Sequence, residues 1–165
     1  MGFADPRAEG SNNPGATNVL RIAGKKAAFF TLLGDCLKGF IAVLIAVVIL
    51  DDPFIIALTG LSAFLGHCFP IFFGFKGGKG VATAIAATVA FDWVAGITII
   101  GIWLLFAKVF KISSLAAIFA FIALPPIIYW RLSSLPVTWV FVLMSSILIW
   151  RHKGNIQRML QGVES

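Results

Sequence analysis

The sequence predicts an all-α integral membrane protein, a polytopic helical bundle of about six membrane helices with three polar loops on one face. Three observations carry that expectation. The chain is 59% hydrophobic with a mean hydropathy of +0.98, whereas globular domains are closer to half apolar. Its apolar residues fall into segments of membrane-spanning length separated by short polar turns. Its basic residues, behind a net charge of +6, sit between those segments and not along an amphipathic face. That placement argues against nucleic acid and for topology, anionic substrates and lipid headgroups.

At 165 residues there is room for one membrane domain. Residues 1–26 are expected as a cytoplasmic loop, 27–150 as membrane helices and 151–165 as a cytoplasmic C-terminal segment. Met1–Lys26 is polar and lacks an apolar h-region, so no cleavable signal peptide is expected. Its run from Glu9 to Thr17 is dense in Gly, Pro, Asn and Ser and reads as turns. Ala16–Arg21 reads as a short interfacial helix presenting Asn18 and Arg21 one turn apart.

Ala27–Leu50 is the first span, about 24 residues or roughly 36 Å. Asp35 and Lys38 lie on one face of it, which predicts a mutual ion pair, with a site-facing Asp35 as the alternative. Asp51-Asp52-Pro53 turns the chain and Phe54–Phe73 returns it. Near the end of that return lies Gly66-His67-Cys68-Phe69-Pro70, where His67 either satisfies a backbone carbonyl freed by Pro70 or lines a site. Cys36 and Cys68 sit in apolar surroundings with no C-x-x-C pair, so neither a disulfide framework nor a metal site is expected.

The next stretch, Phe75-Lys76-Gly77-Gly78-Lys79-Gly80-Val81-Ala82-Thr83, is basic and rich in glycine. Backbone N–H groups without a Cβ nearby, a helix starting at Val81 and two lysines suit a phosphate-sized anion. It is not a Walker A loop, since the earlier glycine and the preceding strand are missing. Topology charges on a tight turn are the simpler alternative.

Val81–Ala107 is either one long span with Asp92 at its middle or two short helices turning at Asp92. Charge bias separates the two. Two helices place 11 basic residues on one side against Arg131 alone on the other, with Lys38 intramembrane, whereas one span gives 7 against 5. The positive-inside rule selects two helices. Ile112–Ile128 and Leu135–Trp150 complete six spans, with Trp103, Trp130, Trp139 and Trp150 as interfacial anchors. Arg151–Leu160 is a short amphipathic segment.

This topology gathers Ser11–Arg21, Lys76–Thr83 and Arg151–Arg158 on one face. Cations and neutral donors are plentiful there and carboxylates scarce, which suits phosphate and not glycoside hydrolysis or zinc. His152 is the one group in these loops expected to titrate near pH 7, and His152 and Asn155 share a helical face.

These residues resemble, in three blocks and in order, the bacterial membrane acyl-phosphate:glycerol-3-phosphate acyltransferases. The blocks are Gly10–Arg21, then Gly66–Pro70 running through Phe75–Thr83, then Arg151-His152 with Asn155-Ile156-Gln157-Arg158. The resemblance covers nearly the whole chain. It implies transfer of a fatty acyl group from acyl-phosphate to the 1-hydroxyl of glycerol 3-phosphate, giving lysophosphatidate and phosphate for phospholipid synthesis. No cofactor is implied, and coenzyme A is not needed. The His-x4-Asp signature of thioester-dependent acyltransferases is accordingly absent, since Phe72 follows His67 by five residues and Gln157 follows His152 likewise.

Carried over by position, Ser11, Arg21, His152 and Asn155 are implied as catalytic. Asn13, Thr17, Asn18, Lys76, Gly77, Gly78, Lys79, Gly80 and Thr83 are implied in binding phosphate and substrate. The implied setting is the bacterial cytoplasmic (inner) membrane, multi-pass, with the site facing the cytoplasm. Membrane lipid and the soluble enzyme that makes acyl-phosphate are the implied further partners. The family resembles a seven-helix protein with a membrane helix ahead of the first block, and here Met1 precedes Ser11 by only ten residues. A truncated chain, active or inactive, or a six-helix variant is therefore expected. A transporter of an organic phosphate is the alternative from another functional class.

Overall fold

The computed structural model describes residues 5–164; residues 1–4 and 165, the ends of the two expected terminal segments, lie outside the described residues. Seven helices follow in order: α1 (Ala16–Ile49), α2 (Pro53–Cys68), α3 (Val81–Phe91), α4 (Trp93–Phe110), α5 (Ser113–Leu132), α6 (Leu135–Arg151) and α7 (Lys153–Leu160). No strand occurs among the described residues.

Local chemistry explains the boundaries. α1 bends at Gly24, whose φ of 80° breaks the helix between an interfacial piece and the span. A side chain at this φ would be strained, so glycine is the residue that permits the bend. Asp52 caps α2 by accepting from the Phe54 N–H at 2.8 Å, with Pro53 at the first helical position. Asp92 ends one helix and begins another. Its N–H closes α3 onto the Thr88 carbonyl at 2.8 Å, and its carboxylate caps α4 through the Ala95 N–H at 2.7 Å. The chain therefore turns at Asp92, as the charge bias required. Lys111 and Ser133, both with positive φ, stop α4 and α5.

The expected six membrane segments correspond to α1–α6. Among the described residues four helical segments are long and apolar enough to cross a membrane, α6 passes the same test together with α7 beyond a 52° bend, and α3 is a shorter apolar helix. α3 has 11 residues, about 16 Å of helix, against about 27 Å for the 18 residues of α4. Both helices start from Asp92, so the turn before α3 stops roughly 10 Å short of the level that α4 reaches. The glycine turn is thus recessed into the bundle and not laid on its surface.

The core is built by α2, α3, α4, α5 and α6, with Phe64, Phe121, Phe141, Met144 and Leu148 fully buried. α1 lies against α3 and exposes Leu33, Leu37, Ile41, Leu44 and Val48, as a helix bathed in lipid does. Trp93, Trp130, Trp139 and Trp150 are exposed near helix ends. Trp103 differs from the expected interfacial anchor: it packs on the core and lines the cavity described below. At the end of the bundle away from that cavity, Arg131 pairs with Asp92 at 3.1 Å.

Candidate active site

The first polar stretch is folded around Asn18, which is 1% exposed. Its Nδ2 donates to the carbonyls of Pro6 and Glu9, both at 3.0 Å, and its Oδ1 accepts from the Ser11 N–H at 2.9 Å. Both N–H groups of the amide and one lone pair of its oxygen are therefore engaged inside the loop. Asn18 holds Ser11 in place, and its position in the sequence did not distinguish that from ligand contact. Arg7 pins the same loop from outside, its guanidinium 4.1 Å above the Phe73 ring.

The glycine turn is held by packing and by Arg151. The Gly77 N–H donates to the Cys68 carbonyl at 3.2 Å. Arg151 Nη2 donates to the carbonyls of Gly77 and Gly78 at 2.7 and 3.0 Å, while its guanidinium lies 5.3 Å from the Phe69 ring. Gly80, at φ 79°, begins α3 with no side-chain cap, and a Cβ there would run into the Phe64 ring. The uncapped N–H groups at the start of α3 and the Lys79 ammonium converge on one space.

A polar chain crosses that space. Lys79 Nζ donates to Asn155 Oδ1, Asn155 Nδ2 donates to Glu164 Oε1, and Glu164 also accepts from Ser114 Oγ at 2.8 Å and Arg158 Nε at 2.6 Å. His152, 2% exposed, sits at the bend between α6 and α7 with Nδ1 2.8 Å from the Leu148 carbonyl. A carbonyl only accepts, so the geometry assigns the proton to Nδ1 and leaves the Nε2 lone pair available.

Burial pushes the His152 imidazole down to about 4; its bond to Leu148 opposes this, and the Lys79 charge adds to it. His152 is consequently neutral at pH 7, which corrects the expectation that it titrates there. Burial also pushes the Lys79 ammonium down to about 8, with Glu164 opposing and Arg158, Arg151 and Arg21 reinforcing. Lys79 therefore titrates closer to neutrality than an ordinary lysine. Burial raises the Glu164 carboxyl, but its donors Asn155, Arg158 and Ser114 outweigh that and hold it low.

These groups line a cavity of about 710 Å³. Of the sequence-derived candidates, Ser11, Asn13, Thr17, Asn18, Arg21, Lys79, Gly80, His152 and Asn155 border it. Lys76 is exposed and does not, and Gly77 and Gly78 face α2 and Arg151 instead. Thr83 also stays outside, fully buried, donating to the Asp35 carbonyl at 2.9 Å and tying α3 to α1. The cavity runs inward along Ala28, Leu32 and Cys36 of α1, past Ile85 and Trp103, so a cationic mouth leads into an apolar recess.

Nothing in the sequence marks Glu164 as part of the site: two of its donors, Asn155 and Arg158, come from α7 and the third, Ser114, from α5. The sequence shows Arg151 as a loop charge, and only the fold shows its clamp on the turn. Among the described residues no group of three or more His, Cys, Asp or Glu side chains is placed to hold a metal.

A family model described as glycerol-3-phosphate acyltransferase matches residues 1–162. Glycerol-3-phosphate acyltransferases of Methylococcus capsulatus and Halorhodospira halophila are 47% and 46% identical to it. Each comparison covers 100% of this chain and 83% or 84% of the relative. The crystal structure of PlsY, an integral membrane glycerol 3-phosphate acyltransferase, in its glycerol 3-phosphate form superposes with a TM-score of 0.93 at 39% identity. That match covers 98% of this chain and 82% of the other. The lysophosphatidic acid form gives 0.85 at 39% identity, over 94% and 80%. An all-helical membrane bundle, the three polar blocks on one cavity and these matches over the full length have one meaning: the chain belongs to the glycerol-3-phosphate acyltransferase family.

Proposed function

We propose that this chain, as a single membrane acyltransferase domain, transfers a fatty acyl group from acyl-phosphate to the 1-hydroxyl of glycerol 3-phosphate without coenzyme A. The observation that carries the reading is the cavity itself, whose cationic mouth and apolar recess fit a phosphate and an acyl chain at once. Lys79, Arg21 and the N–H groups opening α3 hold the two phosphates. Ser11, Asn155 and His152 orient the acyl carbonyl and the attacking hydroxyl. Asn18 acts through Ser11, and Gly77, Gly78 and Thr83 act through the shape of the turn.

In the reaction the 1-hydroxyl oxygen bonds to the acyl carbonyl carbon and the carbonyl C–O bond to phosphate breaks. The hydroxyl proton passes to the departing phosphate, which gains basicity as the C–O bond breaks and so becomes a better acceptor than a buried imidazole titrating near 4. Much of the rate then comes from positioning and fixed charge.

The site faces the cytoplasm of a bacterial inner membrane, because 11 of the 13 basic residues belong to loops at its end of the bundle. The soluble producer of acyl-phosphate is the matching partner on that side. The test uses the purified chain in a membrane mimetic with acyl-phosphate and glycerol 3-phosphate, following phosphate and lysophosphatidate. Stoichiometric release of both is expected, with kcat/KM cut about a hundredfold in Lys79→Ala. An undiminished kcat/KM in Lys79→Ala, or no turnover in wild type, overturns the reading.

A further inference from the structure

Three polar side chains lie deeper than the mouth and take no part in the chemistry above. Lys38 Nζ bridges Asp35 Oδ1 at 2.7 Å and His67 Nδ1 at 3.0 Å, with His67 Nδ1 3.4 Å from the same carboxylate oxygen. The expected Asp35–Lys38 pair is therefore present, and His67 joins it from α2 instead of answering a carbonyl. His67 Nδ1 thus faces both the Lys38 ammonium and the Asp35 carboxylate. The opposite charges of Asp35 and Lys38 offset each other, which makes the pair tolerable inside an apolar span. Three polar groups at that depth still demand a use.

Their surroundings indicate one. The His67 ring packs edge-on against the buried backbone of Gly78. A Cβ built on Gly78 would coincide with His67 Nε2 and stand 2.9 Å from Cε1. On the opposite side of the same turn Arg151 holds the Gly77 and Gly78 carbonyls. The next residue is Lys79. Asp35 is itself anchored to α3, its carbonyl accepting from Thr83 Oγ1 at 2.9 Å. α1, α2 and α3 thus meet at this cluster, directly behind the residue that presents the ammonium, and Asp35 and His67 border the same cavity.

We propose that Asp35, Lys38 and His67 form a polar brace behind the glycine turn that aims Lys79 at the phosphate of glycerol 3-phosphate. They are positioning residues and touch no reacting atom, and the proposal rests on the function proposed above. Removing the ring lets the turn relax into the space it leaves. Lys79 then loses its alignment, while the acyl recess is unchanged.

The experiment compares wild type, His67→Ala, Gly78→Ala, Lys79→Met and the two double variants His67→Ala/Lys79→Met and His67→Ala/Gly78→Ala, each checked as monodisperse in detergent. His67→Ala is expected to raise KM for glycerol 3-phosphate about tenfold with kcat within about threefold. The KM for acyl-phosphate should stay near that of wild type, and no further loss should appear on the Lys79→Met background. Gly78→Ala, which displaces the ring without removing a charge, should give the same KM rise and none when the ring is already gone. A readout independent of turnover is the rate at which an amine-acylating reagent labels Lys79 in the wild type and in His67→Ala, followed by mass spectrometry. Faster labelling is expected in the variant. If wild type is inactive, the function proposed above fails while the labelling still decides the brace. Wild-type KM and labelling in folded His67→Ala, or additive losses with Lys79→Met, would overturn the brace. Failure of both His67→Ala and Gly78→Ala to fold would assign the cluster to stability alone and also overturn it.

Discussion

Lys79 and His152 illustrate how far burial moves a side chain from its reference behaviour. Lys79 titrates near 8 and His152 near 4. In the proposed site the cationic form of Lys79 is the one that holds phosphate, and a lowered pKa means that this form is lost as pH rises through about 8. The kcat/KM for glycerol 3-phosphate should therefore fall above that pH, and Lys79→Arg, whose guanidinium stays charged, should remove that alkaline limb. His152 is already neutral well below pH 7. Its replacement by Gln should lower kcat while leaving the acidic limb between pH 5 and 7 shared with wild type; a limb that disappears in the variant would restore His152 as the base. Asn18 presents the opposite case, a polar residue whose role is internal. Asn18→Leu keeps the branched outline but strands two carbonyls and one N–H, each worth about 1–3 kcal/mol if buried unpaired. A fall in kcat together with faster proteolysis of the Asp5–Gly15 loop is the expected signature.

α3 is the element that sets the site's depth. Eleven residues cannot cross a bilayer, and the helix starts where it does because Gly80 accepts a left-handed backbone against the Phe64 ring. Gly80→Ala adds a left-handed strain of about 1–2 kcal/mol and an overpacking cost of about 1–3 kcal/mol. A clear drop in Tm in detergent, with loss of turnover, is expected; an unchanged Tm would show that the turn can be rebuilt. The helices flanking the turn were legible from apolar length and from the Asp52-Pro53 and Asp92 signals. The uses of Gly77 and Gly78 were not. Composition marks a glycine-rich turn equally well whether its backbone approaches an anion or an opposing helix.

At the scale of the molecule, the break at Asp92 decides which loops share a face. It brings Ser11, Lys79 and His152 to one cavity and sends Arg131 to the other end, where it pairs with Asp92. Single cysteines introduced at Asn12 and Ser133, in a chain whose Cys36 and Cys68 are replaced by Ala, should be labelled by an impermeant maleimide from opposite sides of sealed vesicles. Labelling from the same side would contradict the paired-helix topology.

The sequence by itself determined the membrane class, the turn at Asp92, the common face of the three polar stretches and the family, because hydropathy, charge asymmetry and motif order are one-dimensional properties. Only the tertiary structure decided that the glycine turn is recessed, that Asn18 is spent on its own loop, that Glu164 anchors Asn155 and Arg158, and that His67 backs Gly78. Each of these depends on which distant group lies within about 3 Å and how much water is excluded around it, and both quantities exist only once the chain has folded.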